Sequence, residues 1–194
     1  MSPLLVRARM VSDATVDSEQ SYARFLKFKE FVGFDQKDAE TLGRLGPVLV
    51  PEQARITDAF YEAILHEPET RAFVEGRIDT LKRTHSAWFG ELFEGQYQRA
   101  YFDRRWRIGL AHVRIGLDSR WVDVVCTHIH ELVLATLSDL LGSEGVVAHR
   151  SFARLLELDR AVIQLAYDED RLSRLSEFTG MKRALIENVV RIAR

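Results

Sequence analysis

The sequence predicts an all-α protein, and three observations lead to this prediction. The 194 residues suit one domain, and 46% hydrophobic with 29% charged residues is the composition of a folded chain rather than a disordered one. All four prolines lie within the first 68 residues, so residues 69–194 lack the strongest helix breaker. Apolar residues there recur at intervals of three and four, which is the helical period.

Turn-forming residues divide the first part of the chain into short helices. Gly33 ends a first helix of about residues 19–32, and Asp35 then suits the N-cap of a second. Pro51 suits the first position of a third helix, which Pro68 closes before a short turn. Two more helices are expected over about 78–93 and 100–115.

Two longer helices follow. Asp118 or Ser119 caps the first and Gly142 ends it. Its β-branched content is compatible with a strand, but its apolar residues follow helical spacing. The second runs from about residue 143 to 178. These boundaries, about eight helices in all, predict a flexible arm (1–18), one domain (19–178) and an amphipathic tail or linker start (179–194).

The last long helix carries two apolar stripes, whereas a surface helix needs only one. One stripe is Leu155, Leu158, Val162, Leu165 and Leu172, and the other is Phe152, Leu156 and Ile163. We therefore predict a homodimer through the last two long helices. The alternative is a long helix central to its own domain.

Composition excludes several functional classes. The net charge of −2 gives no indication of a nucleic-acid partner. The single cysteine, Cys126, excludes an intrachain disulfide and a cysteine cage for zinc or iron–sulfur. No apolar run reaches the roughly 18 residues of a membrane span, and the N-terminus lacks a secretory signal, so we expect a cytoplasmic protein. The common nucleotide-binding, zinc-protease and serine-hydrolase motifs are absent.

His112 is the first candidate for chemistry. It lies on an apolar helix face with Ile108 and Ile115 on one flank and Gly109 and Gly116 on the other. A strip of glycines gives a flat, bulky ligand room to approach the backbone. The alternative is a core histidine beside glycines that permit close helix packing.

His85 and Tyr61 also lie on apolar helix faces. A buried imidazole needs a hydrogen bond or a metal, and a buried phenol needs a hydrogen-bond partner. With His112, these residues are either three separately satisfied core groups or the lining of one cavity.

Three segments resemble the globin domains of globin-coupled sensors and protoglobins. They are Phe60-Tyr61, Leu81-Lys82-Arg83-Thr84, and Ala111-His112-Val113-Arg114-Ile115-Gly116-Leu117 followed by Trp121. The resemblance covers roughly residues 22–167. It implies a globin fold (a helical sandwich) with an added N-terminal helix, which binds haem b and dimerises through its long C-terminal helices.

The resemblance also implies roles for single residues. His112 becomes the proximal iron ligand, Tyr61 the distal tyrosine that hydrogen-bonds the gas, and Phe73 a contact of the porphyrin. The glycine strip would let the porphyrin lie close to the backbone. The haem-binding residues implied are Tyr61, Phe73, Leu81, Thr84, His85, Ile108, Gly109, His112, Ile115 and Trp121.

Two positions set this chain apart from relatives. Many relatives carry a non-ligating residue where His85 stands, and an imidazole there could give six-coordinate, bis-histidyl haem. The alternative is that His85 stays off the iron and only polarises the pocket. Val122 replaces a tyrosine of some members, so no hydrogen bond from that position can reach His112.

Three functions are compatible with these residues. The first is a haem sensor of O₂, CO, NO or redox state, acting on a downstream signalling domain or protein. The second is a haem redox enzyme, of the NO dioxygenase or nitrite reductase type, supplied by an external reductant. The third is a haem-free interaction module. Because sensors of this family continue into an output module, we expect either a single-domain globin or a fragment.

Overall fold

The computed structural model describes residues 19–192, and these residues form helices without any β-strand. The predicted all-α class is therefore confirmed. The predicted flexible arm, residues 1–18, lies outside the described residues.

Nine α-helices and one 3₁₀ turn make up the described part of the chain. They are α1 (19–32), α2 (Gln36–Leu49), the 3₁₀ turn Val50–Glu52, α3 (Gln53–His66), α4 (Pro68–Val74), α5 (Ile78–Glu91), α6 (Arg99–Arg114), α7 (Ser119–Leu141), α8 (Ser143–Thr179) and α9 (Arg183–Ile192). Helices α5 to α8 begin and end within two residues of the predicted positions. Helix α9 lies in the predicted amphipathic tail.

Side-chain capping determines where α2 begins. Asp35 Oδ1 accepts hydrogen bonds from the backbone nitrogens of Lys37 at 2.8 Å and Asp38 at 3.2 Å. The Asp38 carboxylate in turn accepts from the Asp35 backbone nitrogen at 3.2 Å. This reciprocal pair satisfies donors that a helix start leaves free, and it confirms the predicted N-cap.

Two predictions at prolines are wrong. The sequence predicts Pro51 at the start of α3, but Pro51 lies in the 3₁₀ turn before that helix. The sequence also predicts a short turn after Pro68, where the structure has helix α4. That helix forms because proline suits its first turn and the Glu67 side chain accepts a hydrogen bond from the Glu69 nitrogen at 3.1 Å.

The 37-residue helix α8 lies at the centre of the fold. It packs most extensively against α6 and α7, and it also contacts α2 and α9. Both of its apolar stripes are buried within this one chain, except that Leu172 is half-buried. The two stripes therefore reflect a central position in the domain, as the alternative interpretation held, and they give no reason to expect a second chain.

Helices α7 and α8 are joined at Gly142, whose φ of 57° lets the chain reverse within one residue. By length and composition alone, one stretch within residues 119–179 could cross a membrane, with a mean hydropathy of 1.4 over 18 residues. The core helix of a folded domain meets the same criterion. Both helices contribute to the hydrophobic core here, α7 through Val133 and Leu137 and α8 through Leu155 and Val162.

Candidate functional site

Helices α3 to α8 surround a partly open cavity of about 260 Å³ with mostly apolar walls. All of the predicted site residues except Gly109 line it, namely Tyr61, Phe73, Leu81, Thr84, His85, Ile108, His112, Ile115 and Trp121. Tyr61, His85 and His112 come from three different helices. They share this one cavity and are not three separate polar groups in the core.

The predicted glycine strip has a different role. A Cβ at Gly109 would come within 2.7 Å of the Ala166 Cβ and 3.0 Å of the Ile163 carbonyl oxygen, both on α8. Gly109 therefore lets α6 pack closely on α8 and does not line the cavity. Gly116 follows α6 with a φ of 75°, and no atom lies near its added Cβ. At Gly109 the prediction of a backbone that a flat ligand approaches is therefore wrong, and the close-packing alternative is correct.

His112 lies in the last turn of α6, where its ring lines the cavity with Ile108 and Ile115. Its Nδ1 is buried and has no hydrogen-bond partner among the described residues. Burial lowers the pKa of His112 to about 4, so the imidazole is neutral near pH 7. Neutral imidazole is the form that ligates a metal.

The ring of His85 is fixed by its neighbours. It stacks on Phe60 with 4.4 Å between ring centroids and 19° between planes, and it also contacts Trp88. Its Nδ1 lies 2.9 Å from Thr57 Oγ1, whereas its Nε2 is buried with no partner in residues 19–192. Burial lowers the pKa of His85 to about 4, so this imidazole is also neutral near pH 7.

Tyr61 follows Phe60 on α3, and its ring lies at 74° to the plane of the His85 ring with 5.7 Å between centroids. Burial raises the pKa of Tyr61 to about 12. The phenol therefore keeps its proton near neutral pH and acts as a hydrogen-bond donor.

Two other predicted residues use their polar hydrogens within the protein. The Thr84 hydroxyl donates to the Leu81 carbonyl oxygen at 2.9 Å, and the Trp121 indole donates to Glu69 Oε2 at 3.1 Å. Thr84, Trp121 and Phe73 on α4 therefore contribute to the cavity wall by their shape and not by donating hydrogen bonds into the cavity.

Sequence reasoning missed one wall of the cavity. Helices α7 and α8 build it, with Val122, Val125, Cys126 and Ile129 from α7 and Leu156, Asp159, Arg160 and Ile163 from α8. Their spacing of three and four identifies a helix face. Spacing does not distinguish a face that packs in the core from one that lines a cavity.

Asp159 is the buried charge of that wall, at 1% exposure. Its Oδ1 accepts hydrogen bonds from Arg105 Nε at 2.7 Å and from the Tyr101 hydroxyl, and its Oδ2 accepts from Trp88 Nε1 at 2.8 Å. Arg105 also pairs with Glu91. The carboxylate is therefore neutralised by its partners, and it joins α5 and α6 to α8.

The donor set indicates which metal group the cavity fits. The described part of the chain holds no cluster of three or more His, Cys, Asp or Glu that could bind a metal ion. A metal already bound by the ring nitrogens of a planar macrocycle needs only one or two axial ligands. His85 and His112 offer two neutral imidazoles within apolar walls, so the residues present fit such a group.

Comparison with known proteins gives matches in both sequence and fold. The family model described as Protoglobin matches residues 21–173. Among solved structures, the globin domain of the Geobacter sulfurreducens globin-coupled sensor matches with 31% sequence identity and a TM-score of 0.69. That match covers 73% of this chain and 96% of the other chain.

Proposed function

The chain belongs to the protoglobin family, and we propose that it is a haem-binding sensor globin with His112 as the proximal iron ligand. The family and globin fold that the sequence resemblance implies are confirmed. The proposed cofactor is haem b, which when bound supplies an iron centre that changes oxidation state and binds O₂, CO or NO.

One observation carries this proposal: two neutral imidazoles with unpartnered ring nitrogens line the same apolar cavity. A buried nitrogen without a partner costs free energy, and a ligand that fills the cavity is one way to offset that cost. His112, in the last turn of α6, would hold the iron from one wall of this cavity.

His85 supplies the sixth ligand in the proposed resting state. Its Nε2 is the unpartnered ring nitrogen, and its ring is held between the Phe60 ring and the Thr57 hydroxyl. A gas would then have to compete with a side chain that its neighbours hold in place. Because His85 belongs to α5 and contacts Thr57, Phe60 and Tyr61 of α3, its displacement would disturb the packing of both helices.

Tyr61 acts as the distal hydrogen-bond donor. Its phenol is neutral and lies next to His85, so it is placed to stabilise a bound gas once His85 has moved. Diatomic gases differ in how strongly they accept hydrogen bonds, and distal donors and steric access set which gas is favoured. Apolar side chains such as Leu81 and Ile108 make the walls around this site mostly apolar.

The proposed signal leaves the cavity through α8. Asp159 bonds α8 to Trp88 on α5 and to Arg105 on α6, so movement of either helix reaches α8 directly. The proposed output is a downstream domain or protein in the cytoplasm. The proposed working unit is a homodimer through the end of α7 and α8 where Val146 and Val147 are exposed.

Absorption spectroscopy of the purified chain tests the proposal. We expect a strong haem band in the parent protein and loss of bound haem in His112→Ala. In His85→Ala, haem should be retained but the low-spin signature lost. His128→Ala, at an exposed position of α7, is the matched control and should leave the spectrum unchanged.

Other results would favour the other functions. A chain without a haem band that also fails to bind added haemin would contradict the proposal and indicate a haem-free interaction module. Steady-state turnover of nitric oxide or nitrite with a reductant would indicate a haem redox enzyme.

A further inference from the structure

Two hydroxyl groups lie behind His85, on the side away from its unpartnered nitrogen. Thr57 Oγ1 lies 2.9 Å from His85 Nδ1 and 3.2 Å from Ser86 Oγ. Thr57 on α3 is 1% exposed, whereas Ser86 on α5 is only half-buried. The three groups therefore connect a buried ring to a partly exposed hydroxyl.

The hydrogen bonds between these groups have two possible directions, because a hydroxyl both donates and accepts. In the first, His85 Nδ1–H donates to Thr57 Oγ1, the Thr57 hydroxyl donates to Ser86 Oγ, and His85 Nε2 keeps a lone pair. In the second, both bonds are reversed and Nε2 carries the proton. Only the first leaves His85 able to ligate a metal through Nε2.

Burial favours the first direction. His85 Nε2 has no acceptor among the described residues, so an N–H there would be an orphaned donor, which native proteins avoid more strictly than an unused acceptor. The half-buried Ser86 can accept from Thr57 and give its own hydrogen to water. The Phe60 ring fixes the plane of His85, and the Thr57 bond opposes rotation of the ring.

We propose that Thr57 is a positioning residue that accepts the Nδ1–H hydrogen bond of His85 and so keeps the lone pair on Nε2, the nitrogen that would serve as the sixth iron ligand. The inference rests on the proposed function, because it requires haem held by His112. Metal-ligating histidines commonly donate their other ring N–H to a neighbouring acceptor, and loss of that acceptor typically weakens metal binding about 10- to 100-fold.

Thr57→Val tests this inference in the full chain carrying haem, since valine has a similar shape without the hydroxyl. Ferric absorption and electron paramagnetic resonance spectra should show the ratio of low-spin to high-spin haem falling at least about tenfold. Thr57→Ser keeps the hydroxyl and should restore the parent ratio. The rate of haem transfer to an acceptor globin reports how firmly His112 holds the haem. In both variants this rate should change much less than the low-spin ratio does in Thr57→Val.

Each outcome has a distinct meaning. A parent-like ratio in Thr57→Val, or a loss that Thr57→Ser does not rescue, overturns the inference alone. An unchanged spectrum in His85→Ala overturns both the inference and His85 ligation but leaves haem binding by His112 intact. Absence of haem from the parent chain overturns the proposed function itself.

A second variant covers the case in which Thr57→Val fails to fold. Ser86→Ala removes only the outer acceptor and changes a half-buried side chain. A smaller fall in the low-spin ratio supports the inference, and an unchanged ratio contradicts it.

Discussion

At the scale of single residues, Gly109 shows how one spacing is compatible with two structural roles. On the helical wheel, Gly109 is beside His112, which suits a backbone that a flat ligand approaches. In the structure the same position faces Ala166 and Ile163 on α8. The missing side chain therefore brings α6 close to α8, and the ring of His112 lines the cavity without a glycine strip beside it.

We predict that Gly109→Ala destabilises the protein by about 1–3 kcal/mol. The added Cβ would lie 2.7 Å from Ala166 and 3.0 Å from the Ile163 backbone oxygen, so the two helices must shift apart. Gly43→Ala within the exposed face of α2 is the control. Nothing lies within 4 Å of its Cβ, so it should stabilise by about 0.5–1 kcal/mol. Urea unfolding measures both, and an equal effect at the two positions would refute the packing role.

At the scale of helices, a buried polar network around Asp159 connects the two helices that carry the histidines to the long central helix. Asp159 on α8 accepts from Arg105 on α6 and from Trp88 on α5. Burying two charges costs desolvation free energy. Asp159 also accepts a hydrogen bond from the Tyr101 hydroxyl, which offsets part of that cost. This network gives α5 and α6 a shared contact next to the cavity.

We predict that Arg105→Met costs about 3–5 kcal/mol, because it leaves the Asp159 carboxylate buried without its cationic partner. The neighbouring Arg104→Met is the matched control. Arg104 makes its ion pairs with Glu91 and Glu94 near the surface, so its loss should cost no more than about 1 kcal/mol. Urea denaturation of samples with equal haem content measures the free energy of unfolding of each variant. Similar losses in the two variants would contradict a special role for the buried pair of Arg105 and Asp159.

At the scale of the whole molecule, the apolar surface that is free to contact a second chain is not the surface of the two apolar stripes on α8. Both stripes of α8 are covered by the chain's own helices. Apolar side chains remain exposed around the turn that joins α7 to α8, where Leu140, Leu141, Val146 and Val147 lie. We place the contact of the proposed homodimer at this turn end of the two helices.

We predict that the parent chain sediments as a dimer at micromolar concentrations and that Val147→Asp makes it a monomer. A charge at this 66% exposed position would be buried without a partner in the dimer but not in the monomer. Val190→Asp on α9, at 55% exposure, is the control and should remain dimeric. A parent chain that sediments as a monomer, or dissociation in both variants, would contradict this interface.

Local patterns in the sequence predicted most of the fold. Helical spacing and the capping residue Asp118 placed α7 to within one residue, because a helix and its caps are stabilised by residues near in the chain. The turns at Pro51 and Pro68 were predicted less well, since a proline is compatible with a 3₁₀ turn, a helix start or a simple turn.

The sequence by itself determined the helical class, the family and the residue types available for iron ligation, because period, caps and a family motif are properties of neighbouring positions. Only the tertiary structure decided that His85 and His112 share one cavity, that α7 and α8 form its remaining wall, and that a hydroxyl of α3 stands behind His85. Those facts depend on how helix faces distant in the chain pack together, and a linear pattern does not contain that information.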